Sequence, residues 1–354
     1  MRLTSVLFTV TVALAGLSPE ARGWGIYGDD NRQEVYDYPD RAIVALARST
    51  VAIFKKSDLT SVGKLISVPT TSLQETLDVC PNERFKDQPA GAICSGFLVA
   101  PNKVVTAGHC VPSPADCEKL SFVFDYRMID GGIAQTSFRP GQVYSCKKVL
   151  GQVYESLGRD FAVIELDRNV VDRSPVKLAN NSNLSAGKDV FVIGHPAGLP
   201  VKITDGGTIR RVTDEHFVTN LDTYGGNSGS AVFNARTLEV EGILVRGARD
   251  FVKVGTCLVS YRFGNNGGGG EVVSKISQIH ERGFEVDLEA VKYIWLKSDS
   301  TCNEFRGATF VREVADALCG SSVPVRYRWL PDNTCNLFHG ARYIREVANA
   351  LCGR

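Results

Sequence analysis

The stretch Val104-Val105-Thr106-Ala107-Gly108-His109-Cys110 places a histidine directly after a short, β-branched apolar run. Two later stretches complete a pattern with it: Asp160-Phe161-Ala162-Val163-Ile164-Glu165-Leu166 and Gly225-Gly226-Asn227-Ser228-Gly229-Ser230. Together they offer a base, a carboxylate and a hydroxyl, in the order His, Asp, Ser. A serine hydroxyl is a poor nucleophile at neutral pH, and it needs a base to take its proton and a carboxylate to hold that base in one tautomer. The three stretches therefore predict one site for nucleophilic catalysis.

Each member of this pattern also has an ordinary structural explanation. The glycine-serine run around Ser228 could be a plain turn, and a lone histidine such as His109 is more often structural than catalytic. An aspartate such as Asp160 commonly begins a strand. The occurrence of all three in this order, with Cys94 and Cys110 around the histidine, favours catalysis because the combination is more specific than any of its parts.

The three stretches resemble the motifs of the trypsin/chymotrypsin family of serine proteases. The resemblance covers roughly residues 94–279 and looks closest to the bacterial branch that contains the glutamyl endopeptidases, where Gly-Asn-Ser-Gly-Ser is typical. It implies that His109 is the base, Asp160 the orienting acid and Ser228 the nucleophile. It also implies that the N–H groups of Gly226 and Ser228 form the oxyanion hole.

Two further expectations come with the resemblance. The family joins two cysteines at this spacing around its catalytic histidine, which implies a Cys94–Cys110 disulfide. The pancreatic enzymes carry an aspartate where this chain has Asn227, and in them a newly cut N-terminus pairs with that aspartate. Asparagine is uncharged, so we expect the oxyanion hole to form here without such an ion pair.

Substrate preference rests on Asp222, which lies six residues before Ser228. Trypsin-like members hold an aspartate there at the base of the specificity pocket, which implies a preference for Arg or Lys before the scissile bond. The alternative is that Asp222 is only a polar residue within a strand at 220–223. The residues leave both interpretations open.

A second set of candidate substrate-binding residues follows the pair Gly242-Ile243. In the glutamyl endopeptidase pattern a histidine follows such a Gly-Ile pair, whereas this chain has Leu244 at that position. The resemblance implies that Leu244, Val245 and Gly247 line the strand that binds the substrate backbone. Arg246 in the same strand could attract acidic residues of the substrate.

The pattern of short apolar runs broken by Gly, Pro, Asn and Asp predicts an all-β fold. With the resemblance, the expected architecture is two antiparallel β-barrels, with the three site residues between them. Residues 42–54 are apolar enough for a first strand, although 42–47 could instead form a helical turn. The chain has 354 residues and a formal net charge of +1, which gives no reason to expect nucleic acid as a partner.

The first residues have the pattern of a secretory signal. Arg2 provides a positive charge, and the apolar run at 7–17 is too short to span a bilayer. We therefore predict a signal peptide at 1–21, a trypsin-like domain at 22–285, no membrane span, and secretion to the extracellular space or the periplasm.

The cysteines fit the same compartment, because ten of them in one chain are typical of an oxidising environment. Metal binding is not expected, since the chain has no C-x-x-C pair and its five histidines show no ligand spacing. No cofactor is expected either.

The region 293–354 contains a tandem repeat with a period near 33 residues. Each copy combines an aromatic stretch, a Cys-Asn run and an amphipathic pattern that ends in Leu-Cys-Gly, which predicts a loop and one helix. We expect each copy to be closed by its own disulfide, Cys302–Cys319 and Cys335–Cys352. Four cysteines are left over: Cys80, Cys117, Cys146 and Cys257. They can pair in three ways, and the sequence does not choose among these.

The sequence therefore predicts a secreted serine endopeptidase that acts on proteins or peptides through an acyl-enzyme. One alternative is a protease-like binding protein without turnover. Another gives the main role to the repeats, as an adhesion or targeting module in which Trp295 and Trp329 stack on sugars or peptides. These aromatics could equally pack each helix against its loop. Oligomeric state leaves no signal in the sequence.

Overall fold

The computed structural model describes residues 25–155, 158–180, 183–247, 249–281, 292–294 and 304–306. The elements of the first half follow in the order β1 Ile26–Tyr27, β2 Arg32–Glu34, α1 Arg41–Ala47, β3 Thr50–Lys55, β4 Thr60–Val62, β5 Leu65–Ser67, α2 Leu73–Leu77, β6 Cys94–Ala100, β7 Lys103–Thr106, α3 Pro114–Cys117, β8 Leu120–Phe124, β9 Ser137–Phe138, β10 Val143–Tyr154 and β11 Asp160–Leu166. Those of the second half are β12 Asp189–Gly194, β13 Lys202–Val212, β14 His216–Thr219, β15 Ala231–Asn234, β16 Val240–Arg246, β17 Phe251–Val254, β18 Cys257–Ser260, β19 Arg262–Phe263, β20 Glu271–Lys275, α4 Ser277–Glu281, β21 Lys292–Ile294 and β22 Glu304–Arg306.

Two closed antiparallel barrels form the body of the molecule. The first runs β10-β11-β7-β6-β3-β8. The second runs β12-β15-β16-β20-β14-β13 and closes through the pairing of β12 with β13, while β2 adds to the outer side of β13. The predicted all-β architecture with two barrels is confirmed.

Some barrel strands, such as β6, β8 and most of β12, are buried on both faces, because each barrel packs against the other as well as around its own interior. Along β12, Val190 and Val192 belong to one apolar cluster of the second barrel, while Phe191 and Ile193 belong to a larger cluster shared with the first. Successive side chains of a strand point to opposite faces, so this alternation gives one strand two partners. The junction between the barrels is therefore a continuous apolar contact.

The segment 42–54 divides between a helix and a strand. Asp40 caps α1, its side chain accepting hydrogen bonds from the N–H groups of Ala42 and Ile43. Such a cap satisfies donors that a helix start leaves unpaired. The strand β3 begins only at Thr50, so the helical alternative for 42–47 is the one adopted.

Three disulfides lie within the described residues. Cys94–Cys110 is confirmed, and the pairs that the sequence left open are Cys80–Cys257 and Cys117–Cys146.

The predicted signal peptide and the two disulfides of the repeats, Cys302–Cys319 and Cys335–Cys352, lie outside the described residues. Of the first repeat copy the structure describes β21 and β22, which pair antiparallel. Among the helices of the described ranges, none is long and apolar enough to cross a membrane.

Candidate active site

His109 and Asp160 are in direct contact. Asp160 is the first residue of β11, and His109 lies in a short 3₁₀ turn directly after β7, the neighbouring strand of the first barrel. The Nδ1 atom of His109 lies 2.8 Å from Oδ2 of Asp160, and the main-chain N–H of His109 donates to Oδ1 at 3.1 Å. Asp160 is fully buried, whereas 30% of the His109 side chain remains exposed. The imidazole is thus held through Nδ1, while part of the ring remains exposed.

Ser228 lies against Ser95 of β6 and against Cys110, the residue that follows this histidine. Its carbonyl oxygen accepts the N–H of Ser95 at 2.8 Å and lies 3.7 Å from Sγ of Cys110. Gly229 follows with φ +90°, and a Cβ at that position would collide with Ser95 O and with the hydroxyl of Thr106. Only glycine combines this backbone conformation with such a close approach. The loop from the second barrel is therefore seated on β6 and β7, next to His109.

The peptide between Gly225 and Gly226 is held in one orientation. The Gly225 carbonyl accepts the N–H of Ala197 at 2.6 Å, and the Gly225 N–H donates to Oδ2 of Asp250 at 2.9 Å. A trans peptide directs its N–H opposite to its carbonyl, so the Gly226 N–H faces away from Ala197. Within the described residues, neither this N–H nor that of Ser228 donates a hydrogen bond to the protein. Both predicted oxyanion-hole donors are therefore without a hydrogen-bond partner in the part of the chain that the structure describes.

The hydroxyl of Ser95 is a further support of this loop that the sequence did not reveal. It donates to the Gly226 carbonyl at 2.8 Å and accepts the N–H of His195 at 2.9 Å. Asn227 is buried, and its N–H donates to the Tyr224 carbonyl at 3.0 Å. At Ser95 and Asn227 the loop is thus held by hydrogen bonds between neutral groups, in agreement with the uncharged side chain of Asn227.

Asp222 is buried and holds the start of the described chain. Its Oδ1 accepts the N–H of Tyr27 at 2.7 Å, and its Oδ2 accepts the N–H of Asn31 at 2.8 Å. It lies beyond the end of β14 and not in a strand. Burial raises the pKa of the Asp222 carboxyl to about 6. Both of its oxygens are therefore already engaged by main-chain donors.

Glu271, the first residue of β20, is a second carboxyl in this region. It is fully buried, accepts the hydroxyls of Thr223 and Tyr27 (the latter at 3.2 Å), and lies so close to Gly247 that a Cβ there would collide with the carboxylate. Burial raises its pKa well above the usual range, and the nearby charges of Asp250 and Asp222 add to this rise. Its sequence signal was only a lone acidic residue ahead of a short apolar run.

The predicted substrate-binding strand is β16. Leu244 and Val245 are buried, and Leu244 exchanges main-chain hydrogen bonds with the Ser228 loop: its carbonyl accepts the Gly229 N–H at 2.7 Å, and its N–H donates to the Ser230 carbonyl at 3.0 Å. Arg246 donates to the carbonyls of Glu155, at 3.2 Å, and Gly158, at 2.8 Å. Its guanidinium is therefore tied to the loop that precedes β11.

One group of potential metal ligands occurs among the described residues, formed by Cys94, His109 and Cys110. The two sulfur atoms are joined in a disulfide and offer no thiolate. This arrangement does not fit a metal, since a thiolate is the form in which cysteine binds one.

Residues 94–243 match the family described as a trypsin-like peptidase domain. No curated protein sequence matches the chain. Among solved structures, a Glu endopeptidase in complex with MPD is 18% identical, with a TM-score of 0.44 over 74% of this chain and 99% of its own. An inactivated protease paralogue of the scabies mite is 15% identical, with a TM-score of 0.43 over 74% and 98%. The VesB protease of Vibrio cholerae is 14% identical, with a TM-score of 0.44 over 77% and 69%. Residues 94–243 are thus similar to a trypsin-like peptidase domain, and this match bears out the resemblance seen in the motifs.

Proposed function

We propose that this protein is a secreted serine endopeptidase. The observation that carries the proposal is the contact between Asp160 and His109, next to a Ser228 loop whose two predicted oxyanion-hole N–H groups have no hydrogen-bond partner among the described residues. Residues 94–243 match a peptidase domain, and the serine mechanism is what we propose in addition to that match.

In the proposed reaction, Oγ of Ser228 attacks the peptide carbonyl carbon while Nε2 of His109 takes the hydroxyl proton. The N–H groups of Gly226 and Ser228 receive the oxyanion, and removal of one such donor typically costs about 2.7–4 kcal/mol of transition-state stabilisation. The C–N bond then breaks as His109 gives its proton to the leaving amine. Water hydrolyses the acyl-enzyme by the same proton path in reverse, while Asp160 stabilises the imidazolium throughout.

We propose a preference for Arg or Lys before the scissile bond, with Glu271 as the carboxylate that meets the basic group. Glu271 borders Gly247, a predicted substrate-binding residue, and Thr223, which lies between Asp222 and the nucleophile loop. The charge of Asp222 acts on Glu271 as well, although the N–H groups of Tyr27 and Asn31 occupy the oxygens of Asp222. A positive side chain bound beside these buried carboxyls would favour their ionised form.

Secretion is supported by two independent features. The pattern at 1–21 is typical of a signal peptide, and the described residues contain three disulfides, which persist in oxidising compartments.

The test is labelling with a fluorophosphonate probe, followed by digestion of a peptide library. We expect wild-type protein to be labelled at Ser228 and to cut peptides, and Ser228→Ala to lose both while its thermal unfolding is retained. Absence of label in correctly folded wild-type protein would favour the alternative, a binding protein without turnover.

The preference is tested with two buried glutamates of the second barrel. Glu271→Gln should lower kcat/KM for Arg and Lys substrates at least about tenfold, because a neutral amide loses the charge interaction with the substrate. Glu241→Gln is the matched control, since Glu241 is buried in β16 and accepts a hydrogen bond from Asn234 at 2.8 Å. Equal effects of the two substitutions would argue against a specificity role for Glu271.

A further inference from the structure

A cavity of about 710 Å³ borders His109 and belongs entirely to the first barrel. Its lining comes from residues 55–57, 93–94, 109–110, 112, 116 and 118–120, and includes the Cys94–Cys110 disulfide. None of the described residues that surround Asp222 and Glu271, or that form the oxyanion hole, contributes to it. The cavity therefore lies on the histidine side of the site, apart from the acidic region of the second barrel.

The chemistry of the reaction assigns this side to one part of the substrate. The base must give its proton to the leaving amine, so the chain that follows the scissile bond has to pass alongside His109. The acyl part stays on Ser228, near the donors of Gly226 and the carboxylate of Glu271. An open cavity that includes His109, and none of the acyl-side residues, is placed to receive the released segment.

The lining combines an apolar floor with a basic rim. Ile93, Leu120 and the disulfide provide the apolar surface. Three lysines and two carboxylates stand around it, but Lys119 is paired with Asp116 at 2.9 Å. Lys55 and Lys56 are exposed and, among the described residues, make no ion pair, so one unpaired carboxylate, Glu118, stands against two unpaired cations.

We propose that this cavity is a second specificity site, which binds an acidic side chain within the first few residues after the scissile bond. The inference rests on the proposed endopeptidase function. Lys55 and Lys56 attract the carboxylate, while Ile93 and Leu120 contact the apolar part of the same segment. The substrate would then carry a basic residue before the cut and an acidic residue shortly after it.

The experiment compares cleavage profiles from a peptide library read by mass spectrometry. Wild-type enzyme should enrich Asp and Glu over Lys and Arg after the cut by at least about threefold, as exposed ion pairs of this kind provide. The double variant Lys55→Glu/Lys56→Glu should reverse this enrichment, and Lys55→Ala/Lys56→Ala should abolish it, with the change confined to positions after the cut. Lys177→Glu is the matched control, because Lys177 is exposed and does not line the cavity.

The outcomes separate this inference from the proposed function. Fluorophosphonate labelling of wild-type protein, without an acidic preference after the cut, would overturn the second specificity site alone. So would a preference that the double variant leaves unchanged. A protein that is neither labelled nor active would overturn both proposals together.

Discussion

Asp160 binds His109 twice, through the ring nitrogen at 2.8 Å and through the main-chain N–H at 3.1 Å. The carboxylate therefore fixes both the position of the residue and the rotation of its ring. Because the carboxylate accepts a hydrogen bond from the proton-bearing Nδ1, Nε2 is the ring nitrogen that can take a proton from a nucleophilic hydroxyl.

Replacement of this carboxylate separates geometry from charge. We expect Asp160→Asn to lower kcat by about 10³–10⁴, because an amide that donates to Nδ1 stabilises the wrong tautomer. Folding and inhibitor affinity should change little. The measurement is single-turnover acylation of titrated enzyme, with Asp167→Asn, in a partly exposed carboxylate after β11, as the control. A loss below tenfold would exclude an orienting role.

The Ser95 hydroxyl gives a second prediction. Ser95→Ala removes the donor to the Gly226 carbonyl and the acceptor for the His195 N–H, which leaves two buried polar groups unpaired. We expect a loss of about 1–3 kcal/mol in the free energy of unfolding and a fall in kcat, since the oxyanion loop loses a support. The buried Ser121→Ala in β8 serves as the control. If kcat stays constant while stability falls, Ser95 has only a structural role.

Binding of a cation beside Glu271 should depend on pH. The raised pKa of this carboxyl, with those of Asp222 at about 6 and Asp250 at about 7, means that the cation must displace protons at lower pH. We expect the affinity for benzamidine to rise with pH between 6 and 8, by up to about tenfold per unit. Inhibition constants across this range test it, and Glu271→Gln should flatten the curve.

His195 should make the domain sensitive to acid. Burial lowers the pKa of its imidazole to about 3, and the charge of Lys202 acts in the same direction. Below the unfolded value near 6.5 the unfolded chain binds a proton that the folded protein does not, so stability falls as pH falls. We expect His195→Gln to remove about 1.4 kcal/mol of this decline per pH unit between 6 and 4. Denaturant midpoints at several pH values provide the measurement, and parallel curves for both proteins would contradict it.

The disulfides should differ in their effect on stability. Cys80–Cys257 spans 177 residues and Cys117–Cys146 spans 29. In the loop-entropy model these separations correspond to about 5 and about 4 kcal/mol. The double variant Cys80→Ser/Cys257→Ser should therefore lower the unfolding midpoint further than Cys117→Ser/Cys146→Ser. The reverse order in thermal unfolding would show that native contacts outweigh loop entropy.

The parts of the fold and site that the sequence predicted are those encoded locally or in a familiar motif. The contact between His109 and Asp160 follows from short stretches on neighbouring strands, and Cys94–Cys110 closes a short loop. The partner of Cys80 could not be read in this way, because it lies 177 residues away. Nor could the surroundings of Glu271, because Thr223 and Tyr27 are brought to it by the second barrel and by the parallel pairing of β1 with β19.

The hydrogen bonds from Tyr27 and Asn31 to Asp222 join residues 195 and 191 positions apart. During synthesis, the first of these segments leaves the ribosome long before its acceptor exists. These two hydrogen bonds therefore cannot form until β12, β13 and β14 of the second barrel have been made. The region around Asp222 thus depends on contacts of high sequence separation, and such contacts form slowly and leave a partly folded chain exposed to aggregation.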